Sequence, residues 1–299
     1  MLEREQETLF SLAGDLYHLY TTPLESDLIF KTEDEYRVAI TYLAIAAVIY
    51  GEEILAYAFM SNHLHLIVRG NNYRDFFRKF RSLFSVFLSR HGRPGVGQRI
   101  MASAKKIHSL AQFRTEIAYV LRNPYVVRDD VNPLSCLQTS GFLYFNPMLK
   151  YFETKQESEV TQKYINECTK TRNMHLPKSF LFRDSMIAPE SFVNYRMVES
   201  LFLSKRQFLL HVFKKVEAQV ETALRYGETP VFPDEEMFPR VIMMCRDSFG
   251  HGKLTKLSTA EKMQIGQELK LKYRCSNAQI SRLTKLSRGI VDDMFPHAE

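Results

Sequence analysis

Tyr57-Ala58-Phe59-Met60-Ser61-Asn62-His63-Leu64-His65-Leu66-Ile67-Val68-Arg69 is the stretch whose reading decides the fold. The apolar run Ile54 to Met60 reads as a buried strand and Ser61-Asn62 as a turn. In the strand that follows, Leu64, Leu66 and Val68 alternate with His63, His65 and Ile67. Successive side chains of a strand point to opposite faces, so His63 and His65 share one. Two imidazoles side by side on a rigid strand make half of a metal site.

Working outward, Leu16 to Thr22 is rich in strand formers and ends at Pro23, which predicts a first strand. Thr32-Glu33-Asp34-Glu35 is a capping box that opens a helix to about Ile49, closed by Gly51. A second helix is expected from about Tyr73 to His91, with Phe76, Phe77, Phe80, Leu83, Phe84, Phe87 and Leu88 on its apolar face. Gln98 to Ile107 reads as a further strand. Ser109 to Asn123 reads as a helix that stops before Pro124. The order strand, helix, strand, strand, helix, strand, helix predicts an α+β fold: a small antiparallel sheet with helices on one face.

Composition narrows the class. The 299 residues are 45% hydrophobic and 25% charged, as expected of a globular chain with room for more than one core. The longest apolar run, Ala39 to Tyr50, is too short to span a membrane, and the charged start Met1-Leu2-Glu3-Arg4-Glu5 is unlike a signal peptide. Cys136, Cys168, Cys245 and Cys275 show no paired spacing, which argues against disulfides and zinc-thiolate sites and fits a cytoplasmic protein.

The net charge of +6 is unevenly placed. Between Gly70 and Arg114 the basic residues Arg74, Arg78, Lys79, Arg81, Arg90, Arg93, Arg99, Lys105, Lys106 and Arg114 face a single acid, Asp75. On one helix such charge is usually solvated surface. Sustained over two elements beside a His pair, it predicts a nucleic-acid backbone as partner, with Arg74, Arg78, Lys79, Arg81, Lys105 and Lys106 as contacts.

On the last helix of this region Tyr119 and Asn123 are four residues apart and so share a face. A phenol can be a nucleophile and an amide oxygen can ligate a hard cation. By spacing alone, a core tyrosine and an asparagine ending the helix account for the pair better. His18 and His108 stand alone; a lone histidine is more often structural, and neither is assigned.

Asn62-His63-Leu64-His65-Leu66 resembles the His-hydrophobic-His motif of the HUH endonucleases. Tyr119-Val120-Leu121-Arg122-Asn123-Pro124 resembles the tyrosine helix of their one-tyrosine transposases, and its Asn-Pro ending is similar to that of the REP-associated tyrosine transposases. The resemblance covers roughly residues 10–135 and implies a ferredoxin-like sheet. It also implies that His63, His65 and Asn123 hold Mg²⁺ or Mn²⁺ and that Tyr119 attacks single-stranded or hairpin DNA, leaving a 5′-phosphotyrosine and a free 3′-hydroxyl. Imidazole suits Mn²⁺ better than Mg²⁺. The chain departs from the REP-associated pattern in having no Trp. Ser140 to Phe145 stands where a Trp-containing segment is usual, and Tyr125-Val126-Val127-Arg128 where Arg-Ala-Gly often follows Asn-Pro.

Three segments are expected: 1–150 for the chemistry, 151–250 as a helical packing region, and 251–299 as a helix-turn-helix. Within the second, Lys155 to Lys170 is expected to begin a helical region. Glu190 to Tyr226 is expected to be strongly helical, ended by Gly227 and Pro230, and Pro233 and Pro239 mark a further break. In the third, Ser258-Thr259-Ala260-Glu261 and Ser276-Asn277-Ala278-Gln279 read as capping boxes and Ser287 as a further cap. Ile265, Leu269, Ile280, Leu283, Leu286, Ile290 and Met294 would form the core. This part resembles helix-turn-helix domains of replication initiators, with Lys285 and Arg288 toward DNA and Asp292 and Asp293 as opposing charges. The expected function is a metal-dependent single-strand endonuclease and transposase; a homodimer is compatible with it. The alternatives are a DNA-binding regulator of the same fold, a His-pair phosphoesterase (which would need a second His pair) and an RNA-binding module (which would want exposed aromatics on its central strands).

Overall fold

Four strands organise the first part of the chain: β1 (Leu16–Thr21), β2 (Glu53–Phe59), β3 (Leu64–Arg69) and β4 (Ala102–Lys106). The computed structural model describes residues 2–22, 24, 27–127, 132, 134–170, 176–213 and 234–296. The chain divides into two units, Met1–Val212 and Phe213–Glu299, where three segments with boundaries at 150 and 250 were expected.

In the first unit the sheet is antiparallel with order β2-β3-β1-β4. Helix α1 (Leu2–Leu12) precedes β1, α2 (Glu33–Tyr50) joins β1 to β2, α3 (Tyr73–Arg90) joins β3 to β4, and α4 (Leu110–Val127) follows β4. The capping box of α2 is formed by Thr32 and Glu35, and Gly51 ends it at φ 64°. There any residue with a Cβ would be strained.

The helices cover both faces of the sheet, not one. Leu19, Tyr57, Phe59, Leu64, Leu66 and Val68 join α2 and α3 in one core, while Leu16, Leu55, Ala56, Ala58 and Ile67 join α4 in another. A sheet that is apolar on both faces must be covered on both. A bulge between Ile54 and Ala56 turns Leu55 and Ala56 together toward α4. The α3 side is held by buried phenylalanines: Phe30 stacks on Phe59, Phe59 on Phe80, and Phe80 on Phe84. Each such side chain contributes roughly 1.5–3 kcal/mol by burial.

Two helix limits differ from expectation. Helix α4 runs on past Pro124 to Val127. The proline forfeits one backbone hydrogen bond, whereas Phe113, Ile117, Val120 and Leu121 are fully buried and anchor the helix ahead of it. The expected helix over Glu190 to Tyr226 is broken into α6 (Tyr195–Ser200) and α7 (Lys205–Phe213), because Leu201 and Phe202 turn into the α4-side core; its remainder, 214–226, lies outside the described residues. Lys155 to Lys170 contains a short strand as well as a helix. Strands β5 (Lys155–Gln156), β6 (Leu181–Arg183) and β7 (Met186–Ile187) form a small antiparallel sheet that, with α5 (Gln162–Thr169), packs on α2. Thr139 bridges to Ala58 and Val193 to Ile54, so the outer edge of β2 is covered.

The second unit is helical: α8 (Asp234–Phe249), α9 (Thr259–Tyr273), α10 (Asn277–Thr284) and α11 (Arg288–Met294). Helix α8 continues across Pro239 and adds Met237, Val241, Met244 and Cys245 to the expected core. Val291 is the fully buried residue of α11, while Ile290 and Met294 are partly buried. Ser258 and Glu261 complete a capping box. Ser276 caps α10, but the Gln279 amide donates to Asp234 instead of closing a second box, and Ser287 caps α11. Among the described residues no helix is long and apolar enough to cross a membrane.

Candidate functional site

The α4-facing side of the sheet carries a polar cluster inside otherwise apolar surroundings. His63 immediately precedes β3, where the Met60 amide donates to its carbonyl and closes the turn. Its Nδ1 lies 2.8 Å from Asn62 Oδ1. An amide oxygen only accepts, so His63 Nδ1 carries the proton and Nε2 keeps its lone pair. His65 follows on the same face, 1% exposed, with its ring 5.1 Å from that of His63 and nearly perpendicular to it.

Opposite them, α4 presents Glu116, Tyr119 and Asn123, spaced three and four apart and so on one face. The Tyr119 ring meets His65 edge-on at 5.2 Å, and Asn123 hydrogen-bonds His63. The four residues singled out by motif, His63, His65, Tyr119 and Asn123, are therefore brought together by elements far apart in sequence. Tyr119 is 5% exposed.

Four residues outside the motifs complete the cluster: His18, Tyr20, Lys105 and Glu116. His18 on β1 is buried; its Nε2 lies 3.0 Å from His65 Nδ1 and its Nδ1 lies 2.8 Å from Glu116 Oε2. Lys105 Nζ donates to Glu116 Oε1 at 2.8 Å. Tyr20, paired with His65 in the β1–β3 register, stacks on His65 at 6.4 Å between ring centres and is half-buried. The available signal was alternation: His18 and Tyr20 share a strand face, and Glu116 lies one helical turn before Tyr119. His108 is exposed and takes no part in these contacts.

Electrostatics follow from burial. Desolvation pushes the His65 imidazole well below its usual range, with the neighbouring His18 and His63 adding to it, so the ring is neutral. Desolvation also lowers His63, against the hydrogen bond to Asn123. Burial alone would raise the Glu116 carboxyl, but the hydrogen bond and charge of His18, then Lys105, outweigh it and hold Glu116 at about 2.

A divalent cation fits this donor set on one direct observation: His65 Nε2 is buried and has no hydrogen-bond partner among the described residues. A buried acceptor without a partner costs about 1–3 kcal/mol, which a ligand would recover. Among the described residues no group of three or more His, Cys, Asp and Glu is placed to hold a metal ion. The donors here are two imidazoles and an amide.

The basic residues are more scattered than their run in sequence suggested. Arg74, Arg78, Lys79 and Arg81 lie on α3, across the sheet from His65 and Tyr119. Arg78 pairs with Asp75. Lys106 points to the α3 side, where it pairs with Asp15 at 2.6 Å and lies over the Tyr17 ring; only Lys105 reaches the cluster, and its charge is spent on Glu116. Arg93, Arg99 and Arg114 are engaged internally, with Glu35, Asp27 and Gln6. In the second unit Lys285 is exposed at φ 60°, and Arg288 pairs with Asp292 on its own helix at 2.8 Å.

No family model, curated protein or solved structure matches the chain.

Proposed function

We propose that the chain is a metal-dependent endonuclease and transposase of the HUH type, acting on single-stranded or hairpin DNA in the cytoplasm as a monomer or homodimer. The observation that carries this reading is the convergence of His63, the partnerless Nε2 of His65 and Asn123 beside Tyr119. The connectivity β-α-β-β-α-β with order β2-β3-β1-β4 supports the ferredoxin-like form of the fold. The successive caps of α9, α10 and α11 support a helix-turn-helix in the second unit, with Lys285 as its contact to DNA.

In this reading His63 and His65, with Asn123, would hold Mg²⁺ or Mn²⁺. When bound, the cation supplies Lewis acidity at the scissile phosphate. Tyr119 Oη forms a bond to phosphorus as the bond to the 3′-oxygen breaks. Tyr119 gives its phenolic proton to solvent and the departing 3′-oxygen takes one up from solvent, so it leaves as a hydroxyl and the step is proton-neutral. The 5′-phosphotyrosine conserves the ester, so a second 3′-hydroxyl can reverse the step. Tyr20 faces the same space and would stack against a base of the strand.

The test is covalent capture on a pool of single-stranded hairpin DNAs with Mn²⁺. A denaturation-resistant adduct that is lost in Tyr119→Phe and with chelator is expected. The burial of Tyr119 favours a second reading, a DNA-binding regulator of the same fold. Hairpin binding with no adduct across the pool selects it.

A further inference from the structure

The first unit also holds an open cavity of about 930 Å³, which the chemistry proposed above does not use. Phe182 and Met186 are buried at its floor, Phe142 and Tyr164 form half-buried walls, and Tyr151 and Phe152 stand exposed at its rim. We propose that this cavity takes an unpaired base of single-stranded DNA, with the adjoining phosphates on Lys150 and Lys155. The occupant rests on the DNA reading above; the cavity itself does not.

The rim is held in place by the chain around it. Tyr151 ends a 3-10 turn over Pro147–Tyr151 that Asn146 caps, its Oδ1 accepting from the Met148 amide. The Nδ2 of the same asparagine donates to the Phe142 carbonyl at 2.8 Å, which ties the rim to the wall. Tyr151 and Phe152 are nevertheless 65% and 38% exposed. Consecutive aromatics left open beside a cavity are apolar surface that a ligand would cover. Flat rings are what unpaired bases stack on, whatever their sequence.

Charge separates a base from other occupants. Arg183 lines the cavity, but both of its terminal nitrogens donate to Glu190. Its fork is therefore spent, and it offers a planar surface whose centre lies 4.9 Å from the Phe152 ring. Lys150 and Lys155 lie 4.9 and 6.0 Å from the Tyr151 and Tyr164 ring centres and have no carboxylate partner among the described residues. In this they differ from Lys105 and Lys106, which are both ion-paired. Rings interleaved with unpaired ammonium groups suit a strand that stacks by its bases and is steered by its phosphates. The cavity is also lined by Glu153 and Asp184. These carboxylates accept from base N–H groups and repel a phosphate or an acidic peptide side chain, so the base enters and the phosphates stay at the lysines.

The cavity is also near the histidines along the chain. One wall is Leu137, next to Gln138, whose carbonyl accepts from the Phe59 amide at 2.8 Å. That wall stands at the end of β2 leading into the turn that carries His63. A strand held at the turn has the cavity as its neighbour.

The experiment is photo-crosslinking of the metal-free full-length chain to a DNA hairpin whose single-stranded tail carries 5-iodouracil. Adducts are mapped by mass spectrometry and affinity is read by fluorescence anisotropy. Crosslinks at Tyr151 or Phe152 are expected. Tyr151→Ala and Phe152→Ala should each weaken binding roughly 5- to 150-fold, with circular dichroism unchanged, whereas Tyr151→Phe keeps a ring and should bind as wild type. Lys155→Gln should reduce the slope of log affinity against log salt by about 0.7. Crosslinks confined to other residues, with both alanine variants binding as wild type, overturn the proposal and leave the Tyr119 chemistry to be judged by its own adduct. Competition by polyglutamate as effective as by unlabelled single strand, with no base crosslinked in the cavity, assigns it to an acidic protein segment and also overturns the proposal. A wild type that binds no single strand refutes the DNA reading and this inference with it. Crosslinking in the cavity by a protein that never forms the Tyr119 adduct upholds the inference and refutes the transposase reading instead.

Discussion

Acid stability offers the most quantitative check on the buried cluster. The Glu116 carboxyl is held at about 2 against an ordinary value of 4.5, and its side chain is 1% exposed, so solvent screens it little. A carboxyl whose folded-state value is depressed contributes its full stabilisation above the unfolded-state value, and the contribution is lost as pH falls through the folded-state value. The window is therefore from about pH 4.5 down to about 2, and the displacement corresponds to roughly 3 kcal/mol. That is a large share of the roughly 5–15 kcal/mol by which a domain is stable. The perturbation is Glu116→Gln, which keeps shape and removes the titration. The assay is urea unfolding at pH 5, 4 and 3, followed by far-ultraviolet circular dichroism because the chain has no Trp. Other carboxylates titrate in both proteins and cancel in the difference. The stability gap between wild type and variant should narrow with acid, by roughly 3 kcal/mol over the whole window. Parallel stability curves from pH 5 to 3 would refute the placement of an ionised, doubly bonded Glu116 in the interior.

Other perturbations address the rest of the molecule. His65 is buried neutral, so the unfolded chain binds the extra proton and stability should begin to fall as pH drops below about 6.5. His65→Gln should flatten that limb between pH 7 and 5, again by urea titration. Phe80→Ala removes a fully buried ring stacked between Phe59 and Phe84 and should cost about 3–5 kcal/mol in equilibrium unfolding. Ser258→Ala breaks the α9 capping box and should lower the melting point of the second unit, by about 1 kcal/mol of stability in calorimetry.

Local signals carried much of the fold. The strands around Leu16–Thr21 and Leu64–Arg69, the capped helix from Glu33 and the phenylalanine stripe from Tyr73 were legible because alternation, caps and helical spacing are properties of contiguous residues. The breaks at Leu201–Ser204 and the continuation of α4 past Pro124 were not. Each depends on which core a residue enters, and proline's local cost is overridden when the turns before it are packed.

The site divides along the same line. By itself the sequence determined the types and spacing of His63, His65, Tyr119 and Asn123, since strand alternation and a helical turn set who shares a face with whom. Only the tertiary structure decided that α4 lies on the histidine face and α3 on the other. That put the Glu116–His18 chain behind His65 and took Arg74, Arg78, Lys79 and Arg81 away from it. The reason is physical: side-chain periodicity is local, but the face on which a helix covers a two-sided apolar sheet is settled by non-local packing, and a hydrogen bond spanning 98 positions of sequence leaves no periodic trace.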